Sequence, residues 1–187
     1  VVAASSPLAV DAVTRIALTS HQIAPAQVND IKRRIAAAPN LDELDILAAV
    51  VRLDAEQTRA LRIRVVTQRA ARTFSVDQGE FEIEERMLIP TAPDAGIDIR
   101  SVIFMGARMN LSEERLLVAL RHFGTRFVLK PGVFEDLDRY NFTRTERPIL
   151  EALRNCTSLA ELEANHREID PRAAQAVVYA LASCDAL

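Results

Sequence analysis

Residues 143–182 carry three helix-start signals in succession, and they constrain the fold more than any other stretch of the chain. Thr143 and Glu146 have capping-box spacing, Ser158 and Glu161 repeat it, and Asp170 precedes Pro171 as an N-cap with proline at the first helical position. This pattern predicts three short helices joined by tight turns, a winged-helix-like module over 143–187. Such modules are most often met on DNA, where the last helix presents base-contacting side chains. Here that helix offers only Arg172, Gln175 and Tyr179 among alanine, valine and leucine. The pattern therefore points away from nucleic acid and towards a protein partner.

Charge supports the same expectation. The formal net charge is −3, so there is no global attraction to a phosphate backbone. Five glycines and no tryptophan in 187 residues disfavour a Gly-loop nucleotide enzyme and a turn-rich β-sandwich. Cys156 and Cys184 lack the spacing of a metal site or an evident pairing, which suits buried thiols in a reducing cytoplasm. The opening Val-Val-Ala-Ala-Ser-Ser has neither the charge nor the apolar run of a signal peptide or membrane span, and no initiator methionine precedes it. A cytoplasmic fragment of a longer protein, without membrane insertion, is expected.

The first seventy residues predict four helices. Leu8, Val10, Val13, Ile16 and Ala17 form a stripe; Pro25 opens a second helix; Asn40 and Glu43 cap a third; Asp54 caps a fourth that runs to about Ala71. Near Arg72 the period changes to two. Thr73–Val76 and Glu80–Glu84 alternate around Asp77-Gln78-Gly79, which predicts a β-hairpin with Phe81 and Ile83 inward and Glu80, Glu82 and Glu84 outward. Pro90–Gly96 is a linker, placing one domain over 1–89 and a second over 97–187. In the second, helices are expected over Ile97–Met109 and Leu111–His122, and a short strand over Arg126–Lys130. The expected class is thus α+β and mostly helical, with an N-terminal helical part bearing a hairpin and a winged-helix-like C-terminal part.

Catalytic signatures are missing from the sequence. His21, His122 and His166 lie far apart, no His-x-x-x-His or Cys-x-x-Cys run occurs, and no phosphate cradle or nucleophile elbow is present. No enzyme, metal or cofactor is expected. The alternating glutamates around Glu82 and the Asp136, Asp138 pair are explained as solvated surface. The surface feature that stands out is an arginine series on the fourth helix, Arg59, Arg62, Arg64, Arg69 and Arg72, with Arg62 and Arg69 one heptad apart. Arginine's planar fork suits carboxylate or phosphate. Arg59, Arg62, Arg69 and Arg72 are accordingly candidate partner-binding residues, together with Arg172, Gln175 and Tyr179. The alternative for the series is a solvated face paired with the hairpin's glutamates.

Taken in order, the helices Ala-Pro-Ala-Gln-Val-Asn-Asp-Ile and Leu-Asp-Ala-Glu-Gln-Thr-Arg-Ala-Leu, the Thr-Phe-Ser-Val-Asp-Gln-Gly-Glu-Phe-Glu-Ile segment and the closing Thr-Arg-Thr-Glu-Arg-Pro-Ile-Leu-Glu-Ala-Leu module resemble the PATAN (PatA N-terminus-like) family over about residues 20–187. The usual Asp-Gly turn of the closing module is replaced here by Arg154-Asn155. The resemblance implies a non-enzymatic adaptor in bacterial signalling or motility, which contacts other proteins and carries no catalytic residues. Two alternatives belong to other classes. A cyclic-dinucleotide receptor would use Arg59, Arg62 and Arg69 against phosphates, and a winged-helix DNA-binding regulator would use the last helix. A fainter resemblance, to the N-terminal helical domains of secretion and pilus ATPases, lacks their Arg-Leu-Gly entry motif.

Overall fold

A computed structural model describes residues 1–83 and 96–187. Nine α-helices occur among the described residues: α1 Val13–Thr19, α2 Val28–Ala37, α3 Glu43–Val51, α4 Ala55–Ala71, α5 Ile99–Met109, α6 Glu113–Phe123, α7 Arg147–Leu153, α8 Leu159–Asn165 and α9 Pro171–Ser183. Short 3-10 turns at Ala9–Asp11, Pro25–Gln27 and Arg72–Ser75, and a longer one at Val133–Tyr140, accompany them among the described residues. The chain divides into two compact units. The first holds Val1–Ala70 with the described part of 80–97, and the second holds Ala71–Gly79 with Asp98–Leu187.

Local chemistry sets the helix starts. Asp42 accepts from the amides of Leu44 and Asp45 to begin α3, two residues after the Asn40 cap expected from sequence. Asp54 and Gln57 bond each other's backbone amides at 2.7 and 3.1 Å, which opens α4. Asp98 caps α5, Ser112 caps α6, Ser158 and Glu161 form a reciprocal capping box on α8, and Asp170 caps α9. At Thr143 only half of the expected box exists. The Glu146 carboxylate accepts the Thr143 amide at 2.8 Å, but α7 starts after Glu146, whose own amide bonds the Thr143 carbonyl.

In the first unit Val13, Ile16, Ile31, Leu44, Leu47, Leu61 and Val65 from α1–α4 bury against one another. In the second, α9 is the central element. Ala173, Ala174, Ala176, Val177, Val178, Ala180 and Leu181 are all buried, and α5 and α6 pack on them. Its alanines allow close approach of neighbouring helices. Gly106 of α5 does the same for the Phe74 ring, because a Cβ at Gly106 would lie 2.3 Å from that ring.

The expected β-hairpin is not formed, and with it the α+β class and the winged-helix-like description fail. The described residues are helical and contain no sheet. Thr73 and Phe74 belong to the 3-10 turn that follows α4, with the Ser75 hydroxyl donating to the Arg72 carbonyl at 2.8 Å. The Arg115 guanidinium takes the Phe74 and Val76 carbonyls at 3.1 Å each and the Asp77 carboxylate at 2.9 Å. Two carbonyls that a hairpin ladder would have used are thus bonded to a side chain. Glu80–Ile83 has no regular structure, and Phe81 and Ile83, expected inward, are 91% and 88% exposed. Glu84 and most of the expected 90–96 linker lie outside the described residues.

The strand expected over Arg126–Lys130 reduces to a single antiparallel bridge, Phe127 with Thr157. Beyond it, the Leu129 amide donates to the Leu153 carbonyl at the end of α7 and the Lys130 amide to the Ala186 carbonyl in the segment after α9. No wing accompanies α7–α9 among the described residues.

Candidate functional site

The arginine series does not form a free face. Arg62 donates to Asp42 at 3.2 Å and to Asp45 at 2.6 Å, tying α4 to the first turn of α3. Arg69 reaches the Asp11 carbonyl at 3.1 Å and the Glu43 carboxylate at 3.3 Å. The carboxylates that Arg62 and Arg69 engage therefore belong to the start of α3. Arg72 falls beyond the end of α4, in the 3-10 turn, and donates to the Asn110 side-chain carbonyl at 2.8 Å. Arg59 is exposed and also has an interaction partner. A hollow of about 230 Å³ lies beside Arg62 and Arg69, lined by Val2–Ser5 and the start of α3. Its two guanidinium groups meet the carboxylates of Asp42 and Glu43 within the same lining.

The residues expected on an exposed face of the last helix are likewise engaged within the chain. Arg172 donates to the carbonyls of Ala107 at 2.6 Å, Arg108 at 3.2 Å and Leu111, capping the C-terminal end of α5 where carbonyls lack helical partners. Tyr179 packs edge-on against Phe74 and Phe123, with ring centroids 6.5 and 5.9 Å away. Gln175 is half-buried. Only Pro171 and Ser183, at its two ends, are exposed, so α9 has no open face along its length. Burial of this helix in the second unit's core leaves Arg172, Gln175 and Tyr179 half-buried rather than on an exposed face.

A different group of arginines faces solvent. A hollow of about 580 Å³ opens between the Val133–Tyr140 turn and α7, and Arg144, Arg147 and Arg154 all line it. All three are exposed, and among the described residues none has a carboxylate within ion-pair distance. The Arg154 guanidinium lies 4.4 Å from the centroid of the Phe134 ring, which is 40% exposed. Leu137, Phe142 and Leu150, each half-buried, supply apolar walls, and Asp138 and Glu151 place carboxylates in the lining. A cation–π contact does not consume the N–H donors of a guanidinium, which stay available to an anion. The combination can hold an anionic group next to an apolar one.

One signal for this site was open in the sequence. Arg147 and Arg154 are separated by seven residues, the same spacing that drew attention to Arg62 and Arg69. Phe134 had no such signal, since Val133–Tyr140 has no clear period and its 3-10 geometry is set by Gly132 (φ 89°) and Asn141 (φ 59°) at its ends, both left-handed.

Beside the hollow, Glu146 anchors the start of α7. Its side chain is 1% exposed, pairs with Arg108, and accepts from Thr143 and Thr145. Burial works to raise its pKa, but the Thr143 hydroxyl and amide, the Thr145 hydroxyl and the Arg108 charge outweigh it and hold the carboxyl below its ordinary value. Asp98 behaves similarly: desolvation is outweighed by the Arg100 amide and the Arg139 guanidinium. Among the described residues no three His, Cys, Asp or Glu side chains gather as a metal-ligand group, and no helix is long and apolar enough to cross a membrane. The chain matches no protein-family model, no curated protein and no solved structure.

Proposed function

We propose that this chain is a non-catalytic module that docks onto another protein, in a bacterial cytoplasmic regulatory pathway of the kind the PATAN resemblance implies, such as motility or polarity control. The observation that carries the reading is the hollow between Val133–Tyr140 and α7, which combines exposed arginines with an exposed aromatic ring and half-buried apolar walls. Aromatic and arginine side chains are the types enriched at protein interfaces, and a polar rim around an apolar floor is the usual anatomy of such a site. The engagement of Arg62 and Arg69 with the carboxylates of α3 removes the free guanidinium pair on which a cyclic-dinucleotide receptor would depend. The burial of α9 removes the face on which a DNA reader would depend.

Replacing Phe134 with a photo-crosslinking phenylalanine analogue tests the docking reading in cells, with the same analogue at exposed Arg121 as control. Illumination is expected to give a discrete polypeptide adduct from position 134 and none from 121. Absence of any adduct at 134, or identical adducts at both positions, overturns the reading.

A further inference from the structure

We infer that the hollow beside α7 is a receptor for an acidic peptide segment that carries a large apolar side chain among its carboxylates. This rests on the docking reading above and adds the chemistry of the occupant.

Many of the chain's arginines are paired internally. Arg33, Arg34, Arg62, Arg69, Arg100, Arg108, Arg115, Arg126 and Arg139 all meet carboxylates within the chain, and Arg172 caps a helix. Other exposed arginines, among them Arg15, Arg52, Arg64, Arg121 and Arg167, also have no ion pair among the described residues, so what distinguishes the hollow is that several such arginines gather there beside an aromatic ring. Three such arginines line one hollow. Asp138 and Glu151 line it too, but neither lies within ion-pair distance of Arg144, Arg147 or Arg154, and a single net positive charge remains. An incoming carboxylate would gain charge-assisted, bidentate bonds that the chain itself does not supply.

Spacing and apolar character then narrow the occupant. Arg147 and Arg154 stand at the two ends of α7, roughly 10 Å apart along its axis by helical rise. Two acidic side chains of one peptide match a backbone span of that size. Between them Leu150 and the exposed Phe134 ring offer apolar contact that a bare anion would leave unused. A nucleic-acid strand fits less well, because its unbroken run of phosphates would pass the carboxylates of Asp138 and Glu151. The occupant that satisfies guanidinium forks, apolar wall and interspersed carboxylates together is an acidic peptide with an aromatic or aliphatic anchor.

Fluorescence polarisation of the whole chain with three labelled probes of equal length tests the inference. They are a peptide of glutamate pairs alternating with phenylalanine, the same peptide with glutamine for glutamate, and a single-stranded oligonucleotide. The acidic peptide is expected to bind, to weaken as sodium chloride is raised, and to lose about tenfold or more in affinity in the Arg147→Glu, Arg154→Glu double variant. The Arg33→Glu variant is expected to leave it unchanged. Circular dichroism and a thermal melt establish that the double variant is folded, and Arg147→Ala with Arg154→Lys gives an intermediate loss. Equal binding of the acidic and glutamine peptides, both weakened by Phe134→Ser, overturns the charge assignment and leaves the docking reading standing. Binding of neither peptide overturns both. Tighter binding of the oligonucleotide, lost in the double variant, also overturns the proposal.

Discussion

At the scale of single residues, the decisive distinction is between charges the fold uses and charges it leaves open. Glu146 is the clearest case of the first kind, since its carboxylate is almost wholly buried and gathers two threonines and Arg108 at the start of α7. Replacing it with glutamine removes the charge while keeping the shape, and leaves Arg108 to solvent. The loss is expected to be about 2 kcal/mol, measured by urea denaturation, because hydrogen bonds to a charged group are involved and one buried acceptor set is weakened. Arg172→Met is expected to cost a similar amount, about 2 kcal/mol, by leaving α5 carbonyls without a donor. An equal change at exposed Arg121, which has no ion pair among the described residues, is expected to stay within about 0.5 kcal/mol of the parent chain. These distinctions were hidden in the sequence. Arg62 and Arg147 have the same side chain and the same heptad partner spacing, and only the tertiary position of Asp42 and Asp45 separates a staple from an open fork.

At the scale of elements, helices were legible where a cap lies next to the apolar run it starts. Asp54, Ser158 and Asp170 mark α4, α8 and α9 because N-caps act within a few residues and need no distant partner. Substituting Asp170 with alanine is accordingly expected to cost about 1 kcal/mol, read from the thermal midpoint of the folded chain. That Thr73–Ile83 would not pair as a hairpin was not legible. Alternation over Thr73–Ile83 is a local signal, whereas the Arg115 guanidinium that holds Phe74, Val76 and Asp77 comes from α6, some forty residues along the chain. The same tertiary override governs Phe74, whose ring packs against Gly106. Gly106→Ala would raise helix propensity by about 1 kcal/mol, yet the added methyl must displace the ring, so a net loss of about 1–3 kcal/mol is expected by denaturation. A stabilised variant would show that the ring moves freely. The Arg-lined hollow was half legible: α7 and its two arginines follow from pattern, but the left-handed residues that fold Val133–Tyr140 against it do not.

At the scale of the whole molecule, the second unit holds Asp98, Glu146, Glu161 and Glu168, all held below their ordinary values, while in the first unit Asp30 is lowered by its arginine partners. Those ordinary values are 3.8 for aspartate and 4.5 for glutamate. A depressed folded pKa contributes stability above the unfolded value and loses it as pH falls through the folded one. The second unit is therefore expected to keep its stability from neutral pH down to the ordinary carboxylate range and to lose it progressively below. The Glu146→Gln variant is expected to show a shallower acid dependence, measurable as unfolding free energy against pH. The placement of the aromatic residues makes this measurable without any label. The chain has no tryptophan and two tyrosines, and both Tyr140 and Tyr179 sit in the second unit. Tyrosine ellipticity and fluorescence thus form a built-in spectroscopic channel for one half of the protein, while peptide-bond ellipticity sums over both. Comparing the two signals along one titration resolves which half responds to acid, ligand or substitution.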